Sequence, residues 1–464
     1  MTKNRQASPA VGRAPYTAAF YTLGCRVNQY ETRAVEETFA ARGFCIASFD
    51  EPCDVYVINT CTVTAESDRK SRQLIRRARK TGGPDALVLA MGCMVAVSPE
   101  QAANIHGLDY AVGNRNKTSL ADIALTLLRE RKTGNVSGSP TLPPLAACGQ
   151  SESMDHMRIT GSDHVRAFLK IADGCDNRCS YCIIPKARGP VRSKSPEAVC
   201  AEVSDIVRGG CREVVLTGIE TAAYGKDLAD IDLVSLIEQV NAIYPDAPDR
   251  IRLGSLEPTV IKQQTAARFA ACHRLMPHYH LSLQSGSDAV LAAMRRKYNT
   301  RMFADVVGYL RTNIPDVTVT TDIIVGFPGE TEEMFEQTVE FVRACGFLFV
   351  HIFPYSDRAG TEASARKDKV DEAEKKRRAA RLKKAMLDVR ADVLHRFVGS
   401  ERSVLIETIS DSKASGYTEN YIETVFDVSE HPELRENDIA TVKITGVADD
   451  LSHVNAVRIR KEGD

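Results

Sequence analysis

The stretch Ala167-Phe-Leu-Lys-Ile171-Ala-Asp173-Gly-Cys175-Asp-Asn-Arg-Cys179-Ser-Tyr-Cys182 begins as a strand and ends as a metal-binding loop. The apolar run Ala167–Ile171 predicts the strand, and a C-x3-C-x2-C arrangement follows it at once. Three thiolates so close together can fold around one small inorganic cube, each binding a different iron. A four-iron cluster ordinarily takes a fourth cysteine. None lies nearby, which leaves one iron open to a ligand from outside the protein. Zinc fits less well, because structural zinc takes four protein ligands in paired spacing. An incidental group of cysteines is the remaining alternative.

Outward from this loop, five more runs predict strands: Val214–Gly218, Ile251–Ser255, Tyr279–Leu283, Thr318–Val325 and Leu348–Phe353. Helical patterns separate most of them, so the fold class is α/β and 164–397 is expected to form a partial (β/α)6 barrel. By analogy with the eight-stranded fold, chemistry belongs at the C-terminal ends of its strands. Upstream, Ala18–Leu23, Val55–Asn59 and Ala86–Met91 predict strands, with helices over Gln29–Arg42 and Ser67–Lys80 between them. That alternation implies an N-terminal domain over 18–131 with a parallel sheet. Residues 132–163 are rich in Gly, Ser and Pro and read as a linker, and 1–17 as a disordered leader. Arg366–Arg396 predicts a long helix with 12 Lys and Arg against 6 Asp and Glu. Beyond it, 398–464 carries short β-rich runs suited to a small β-barrel.

Cys25 follows the first N-terminal strand, Cys61 the second and Cys93 the third. Open α/β sheets bind ligands along the carboxyl edge of their strands. Three cysteines far apart in sequence are therefore expected to converge, again without an obvious fourth ligand. Buried structural cysteines, common in protein cores, are the plainer alternative.

The bulk composition narrows the setting. The chain has 464 residues, 43% hydrophobic and 26% charged, with a net charge of −1. No apolar run approaches the roughly 18 residues of a membrane span, and no secretory signal opens the chain. Thirteen cysteines is an odd number, unlike a secreted disulfide framework. Reduced cysteines in a cytoplasmic protein are the expectation.

With its aromatic residue before the last cysteine, the C-x3-C-x2-C loop resembles the radical S-adenosylmethionine superfamily. Thr22-Leu-Gly-Cys25-Arg-Val-Asn-Gln-Tyr-Glu31, Asn59-Thr-Cys61-Thr-Val-Thr64 and Met91-Gly-Cys93 resemble the N-terminal domain of its methylthiotransferases. The Asn-Gln-Tyr run and Asp68-Arg-Lys-Ser-Arg-Gln73 look most like the MtaB-type branch, which acts on N6-threonylcarbamoyladenosine at position 37 of tRNA. The resemblance covers about Ala18 to Arg460, and the C-terminal barrel looks like a TRAM module.

The resemblance implies two [4Fe-4S] clusters, one on Cys25, Cys61 and Cys93 and one on Cys175, Cys179 and Cys182. It implies that one S-adenosylmethionine methylates a sulfur held at the first cluster. A second is cleaved at the other, giving a 5′-deoxyadenosyl radical used to place the methylthio group on adenine C2. In such enzymes the cofactor carries the hard chemistry and the protein orients it. An electron donor such as a flavodoxin or ferredoxin, and tRNA, are the implied partners.

Further residues match the family at strand ends: Tyr181, Gly218, Ser255, Glu257, Gln284 and Asp322 are candidates for contacting S-adenosylmethionine. Each also has a plain reading as loop shaping or backbone satisfaction. One departure stands out, Ile219-Glu-Thr-Ala-Ala-Tyr224, where the related branch tends to show a histidine and small residues. For RNA, the candidates are Arg69, Lys70, Arg72, Arg76 and Arg77 on the helix after Cys61. The segment Val398–Asp464 has 14 Asp and Glu against 7 Lys and Arg, which is acidic for a phosphate-binding surface. A ribosomal-protein aspartate methylthiotransferase is therefore an alternative, as is a non-catalytic iron–sulfur RNA-binding protein.

Overall fold

The computed structural model describes residues 16–133, 157–161 and 165–459, which form two compact units. The first comprises the chain to Ile159 together with Ile183–Gly189. The second comprises Thr160–Cys182 and everything from Pro190 onward. Most of the linker, nearly all of the leader, Cys148 and Arg460 lie outside the described residues.

The first unit is a five-stranded sheet. Its strands are β1 (Thr17–Thr22), β2 (Cys45–Ala47), β3 (Val55–Thr60), β4 (Leu87–Gly92) and β5 (Tyr110–Val112). They run in the order β2-β1-β3-β4-β5, every pair parallel. β3 and β4 are buried along their whole length, as continuous apolar runs in a parallel sheet should be. Helix Ala65–Gly82 lays Leu74, Ile75 and Ala78 on Tyr56, Ile58 and Val88. The edge strands β2 and β5 were not among the expected elements. At three residues each, they are too short to show a pattern. Thr17, assigned by sequence to the leader, opens β1 and binds the Asp54 carboxylate through both its N–H and its hydroxyl.

The second unit holds β6 (Arg166–Asp173), β7 (Arg192–Ser193), β8 (Glu213–Gly218) and β9 (Arg250–Leu253) in one sheet, with β7 antiparallel on the outer edge of β6. β10 (His278–Gln284), β11 (Thr318–Val325) and β12 (Phe349–Pro354) form a second, all-parallel group. Isolated bridges Ile251↔Leu275 and Leu256↔Leu281 link the two groups. The six expected strands thus make a half-open α/β barrel, with β7 an unforeseen addition.

The long basic helix is Glu372–His395, shorter than the sequence suggested. Asp371 caps it by accepting from the Glu374 N–H, so 366–371 lies outside it. Several of its cations are tied down, Arg378 by Glu330 and Glu374, and Arg381 by Glu332 and Glu336.

After this helix, β13 (Glu401–Ser410), β14 (Lys413–Thr418), β15 (Glu423–Asp427), β16 (Ile439–Val447) and β17 (Val454–Arg458) close into a barrel in the order β13-β14-β15-β17-β16. β14 was missed because KASGYT is small and polar. Its Gly416 passes so close to β13 that a Cβ would lie 2.0 Å from the Leu405 carbonyl oxygen. Arg250 and Arg252 on β9 fasten this small barrel to the half-barrel by donating to the carbonyls of Ser403, Tyr417, Thr418 and Glu419. Glu213 forms ion pairs with both, and with Arg166, in a buried setting. Part of the appendage's acidity is also spent here, since Glu407 pairs with Arg166.

Candidate metal centres and cofactor loops

In the first unit, Thr22, Asn59 and Met91 stand side by side in the sheet register. Cys25, Cys61 and Cys93 follow these positions by two or three residues, so adjacent strands deliver them to one edge. A Cβ on Gly24 would lie 3.1 Å from the Cys61 sulfur, so residue 24 is glycine, at φ 103°. Gly92, at φ 103°, would collide with the Asn59 side chain at 2.5 Å. These two glycines let the turns carrying Cys25 and Cys93 close up.

The ground beneath these cysteines is a buried polar network. The Asn28 amide donates to the carbonyls of Leu23 and Thr60, joining the turns that bear Cys25 and Cys61. Arg188 donates to Asn28 Oδ1 at 2.7 Å and to Glu31 at 2.8 Å. Lys117 pairs with the same Glu31 carboxylate and reaches Asn114 Oδ1 at 3.0 Å. Asn114 in turn donates to the Cys93 sulfur at 3.5 Å. Asn28 and Glu31 belong to the motif already quoted. Asn114, Lys117 and Arg188 carried no signal in the sequence, because lone polar residues outside a motif read as surface.

In the second unit, Cys175, Cys179 and Cys182 occupy the loop after β6. The Cys182 N–H donates to the Cys179 carbonyl at 3.1 Å, a tight turn that folds the last two cysteines back. Burial pushes the Cys175 thiol up to about 12, with Glu220 and the other two cysteines adding to it. Burial likewise raises the Cys61 thiol in the first unit. All described cysteines are free thiols. Thiolates crowded together in such ground need a cation, and coordination to a metal supplies it by displacing the protons. Both donor sets therefore fit a thiolate-bound iron–sulfur cluster, and neither suits a free nucleophile.

Arg296, which sequence reading passed over, donates to the Cys179 sulfur at 3.2 Å and lies 4.9 Å over the Tyr298 ring. Glu220, within the departing segment after Gly218, is held with Glu257 by one amide. Asn177 Nδ2 donates to Glu220 at 3.0 Å and to Glu257 at 2.6 Å. Burial, then the Glu257 charge, pushes the Glu220 carboxyl up to about 7. Among the cofactor candidates, Tyr181 packs edge-on against Phe327, and Glu257 is buried. Ser255 is exposed at the end of β9. Gly218 approaches Ala172 closely, so its small size has a packing reason. Gln284 adopts φ 72°, a left-handed conformation rare outside glycine, beside a register shift in β10. Asp322 lies 3.1 Å from His280 Nε2. Of the RNA candidates, Arg69 pairs with Glu66, Lys70 lies 4.0 Å from the same carboxylate and Arg77 pairs with Asp50, all on the surface. Arg76 is exposed and Arg72 half-buried on the same helix.

Comparison with known proteins matches the Radical SAM superfamily over residues 169–342 and Uncharacterized protein family UPF0004 over 17–113. Threonylcarbamoyladenosine tRNA methylthiotransferase MtaB of Bacillus subtilis is 38% identical over 88% of this chain and 90% of its own. The MtaB of Aquifex aeolicus is 37% identical over 87% of this chain and 95% of its own. This chain belongs to the MtaB group of the radical SAM methylthiotransferases. A tRNA-2-methylthio-N(6)-dimethylallyladenosine synthase of Pelotomaculum thermopropionicum is 33% identical over 85% of this chain and 87% of its own. Among solved structures, the radical S-adenosylmethionine methyltransferase TsrM of Kitasatospora setae superposes with a TM-score of 0.57 at 16% identity, over 76% of this chain and 77% of that one, a likeness of fold. No helix among the described residues is long and apolar enough to cross a membrane.

Proposed function

We propose that this MtaB-group protein converts N6-threonylcarbamoyladenosine at position 37 of tRNA to its 2-methylthio derivative. The observation that carries the reading is the pair of cysteine triads, each at strand ends and each supported by its own polar frame. One triad belongs to the half-barrel and one to the parallel sheet. In this reading Cys175, Cys179 and Cys182 hold one [4Fe-4S] cluster, and Cys25, Cys61 and Cys93 hold the other. When bound, the clusters and S-adenosylmethionine supply the radical and methyl-transfer chemistry.

The chain's own residues hold and shield that chemistry. Asn28, Asn114 and the Lys117–Glu31–Arg188 ion pairs fix the turns of the first triad. Arg296 places positive charge beside Cys179. Tyr181, Gly218, Ser255, Glu257, Gln284 and Asp322 are proposed to line the S-adenosylmethionine site. The helix Ala65–Gly82 is proposed to meet tRNA phosphates through Arg69, Lys70, Arg72, Arg76 and Arg77, and a flavodoxin or ferredoxin to deliver electrons.

Nucleosides from the tRNA of a strain lacking the gene test this by mass spectrometry. Loss of 2-methylthio-N6-threonylcarbamoyladenosine, with its precursor accumulating, is expected. An unchanged profile would overturn the tRNA assignment and direct attention to a missing methylthio mass on ribosomal protein.

A further inference from the structure

On the last strand of the half-barrel, β12, alternate residues Phe349, His351 and Phe353 share one face. Large apolar side chains of this chain are mostly buried, yet Phe349 is 41% and Phe353 48% exposed. The rings form a ladder. Phe349 meets His351 edge-on with centroids 4.7 Å apart. His351 and Phe353 are nearly parallel, 22° between planes, with centroids 6.5 Å apart. Successive bases are spaced about 3.4 Å apart, and the His351–Phe353 centroid separation is close to twice that.

The surroundings combine a mostly apolar trough with cations, the pairing a stacked nucleotide requires. A cavity of about 410 Å³ runs along the strand, bordered by Phe349, His351, Phe353, Lys383, Leu387 and Arg390. Arg390 stands over the Phe349 ring at 5.1 Å, and Lys383 is exposed on the basic helix, so cations flank the rings. The donor and acceptor atoms of His280, Asp322 and His351 all lie within 4.8 Å of one another, a polar edge beside the ladder. Flat rings, flanking cations and a hydrogen-bonding edge are the parts from which single-stranded RNA sites are built.

We infer that His351 and Phe353 form a slot that takes one unpaired base of the substrate RNA, with His280 at the base's edge. The inference rests on the tRNA reading and adds to it where a loop nucleotide is gripped.

A stem-loop RNA with 2-aminopurine in place of one loop adenine, titrated into full-length cluster-loaded protein, tests it. Binding is expected to quench the 2-aminopurine emission. Phe353→Leu and His351→Leu should weaken binding by at least about 10-fold and remove the quenching, whereas Phe353→Trp should keep both. The tryptophan variant separates ring stacking from apolar bulk and from loss of folding. Leucine variants that bind and quench like the parent would overturn the slot, as would equal binding of a fully paired duplex. The nucleoside profile of the deletion strain keeps the two claims apart. A profile that changes alongside unaffected leucine variants removes only the slot; an unchanged profile removes the tRNA assignment and, with it, the slot's place in a substrate site.

Discussion

Arg296 places a guanidinium 3.2 Å from the Cys179 sulfur, and a hydrogen bond to a cluster's sulfur favours its reduced, more negative state. Arg296→Leu should therefore move the midpoint potential of the cluster proposed on Cys175, Cys179 and Cys182 to a more negative value, read by redox titration of reconstituted protein. An unmoved potential would leave Arg296 a packing residue. Each triad can be addressed separately in the same way. Replacing Cys175, Cys179 and Cys182 by Ala should remove about half of the iron per chain; complete loss, or none, would count against two independent clusters. Glu31 is the hinge of the other site, because Lys117 and Arg188 are both buried against it. Glu31→Gln leaves those cations uncompensated at a cost of about 3–5 kcal/mol, measurable by urea denaturation. At this scale the position of the six cysteines just after strands was legible from the residues around them. Arg296, Asn114 and Lys117 were not, because each touches a cysteine at least 21 residues away along the chain or meets it through another side chain.

Among elements, the helix Ala65–Gly82 shows what periodicity can and cannot tell. Its apolar face and its cations could be read directly. Thr64, whose hydroxyl accepts from the Ser67 N–H, starts it, and Thr64→Ala should cost about 1 kcal/mol of stability while leaving the cations in place. Which cations hold the fold was settled by neighbours. Arg79, on the same helix, is bound to Asp109 and to the carbonyls of Gly83 and Ala86. Arg72→Glu with Arg76→Glu should weaken tRNA binding and flatten its dependence on salt, by about 0.7–0.9 in the logarithmic slope for each phosphate that is no longer neutralised. A slope that stays the same would assign these arginines to solvent. Strand recognition followed a similar rule. Long apolar runs such as β4 declared themselves, while β2, β5 and β7 gain their status from the strand beside them.

At the level of the whole molecule, Glu213 joins the half-barrel to the appendage, because it neutralises the arginines that grip the appendage's carbonyls. Burial alone would raise its pKa, but Arg252, Arg166 and Arg250 hold it below the usual carboxylate range. A carboxylate depressed in this way adds stability above its unfolded pKa and loses it as pH falls through the lower folded value. Acid should therefore loosen the appendage, and Glu213→Gln should loosen it already at neutral pH, by about 3–5 kcal/mol. Limited proteolysis near 397–400 reports both; equal protection of parent and variant across pH would argue that the carbonyl hydrogen bonds suffice. The six strand-forming runs of the half-barrel and the position of each cysteine just after a strand were determined by sequence alone, since apolar period and the residues that follow a strand are local properties. Only the tertiary structure decided that Ile183–Gly189 packs with the first unit and that an acidic β-barrel rests on buried arginines. It alone left the β12 rings exposed and set His280 and Asp322 beside His351, since exposure and cross-strand distances are encoded by no local pattern.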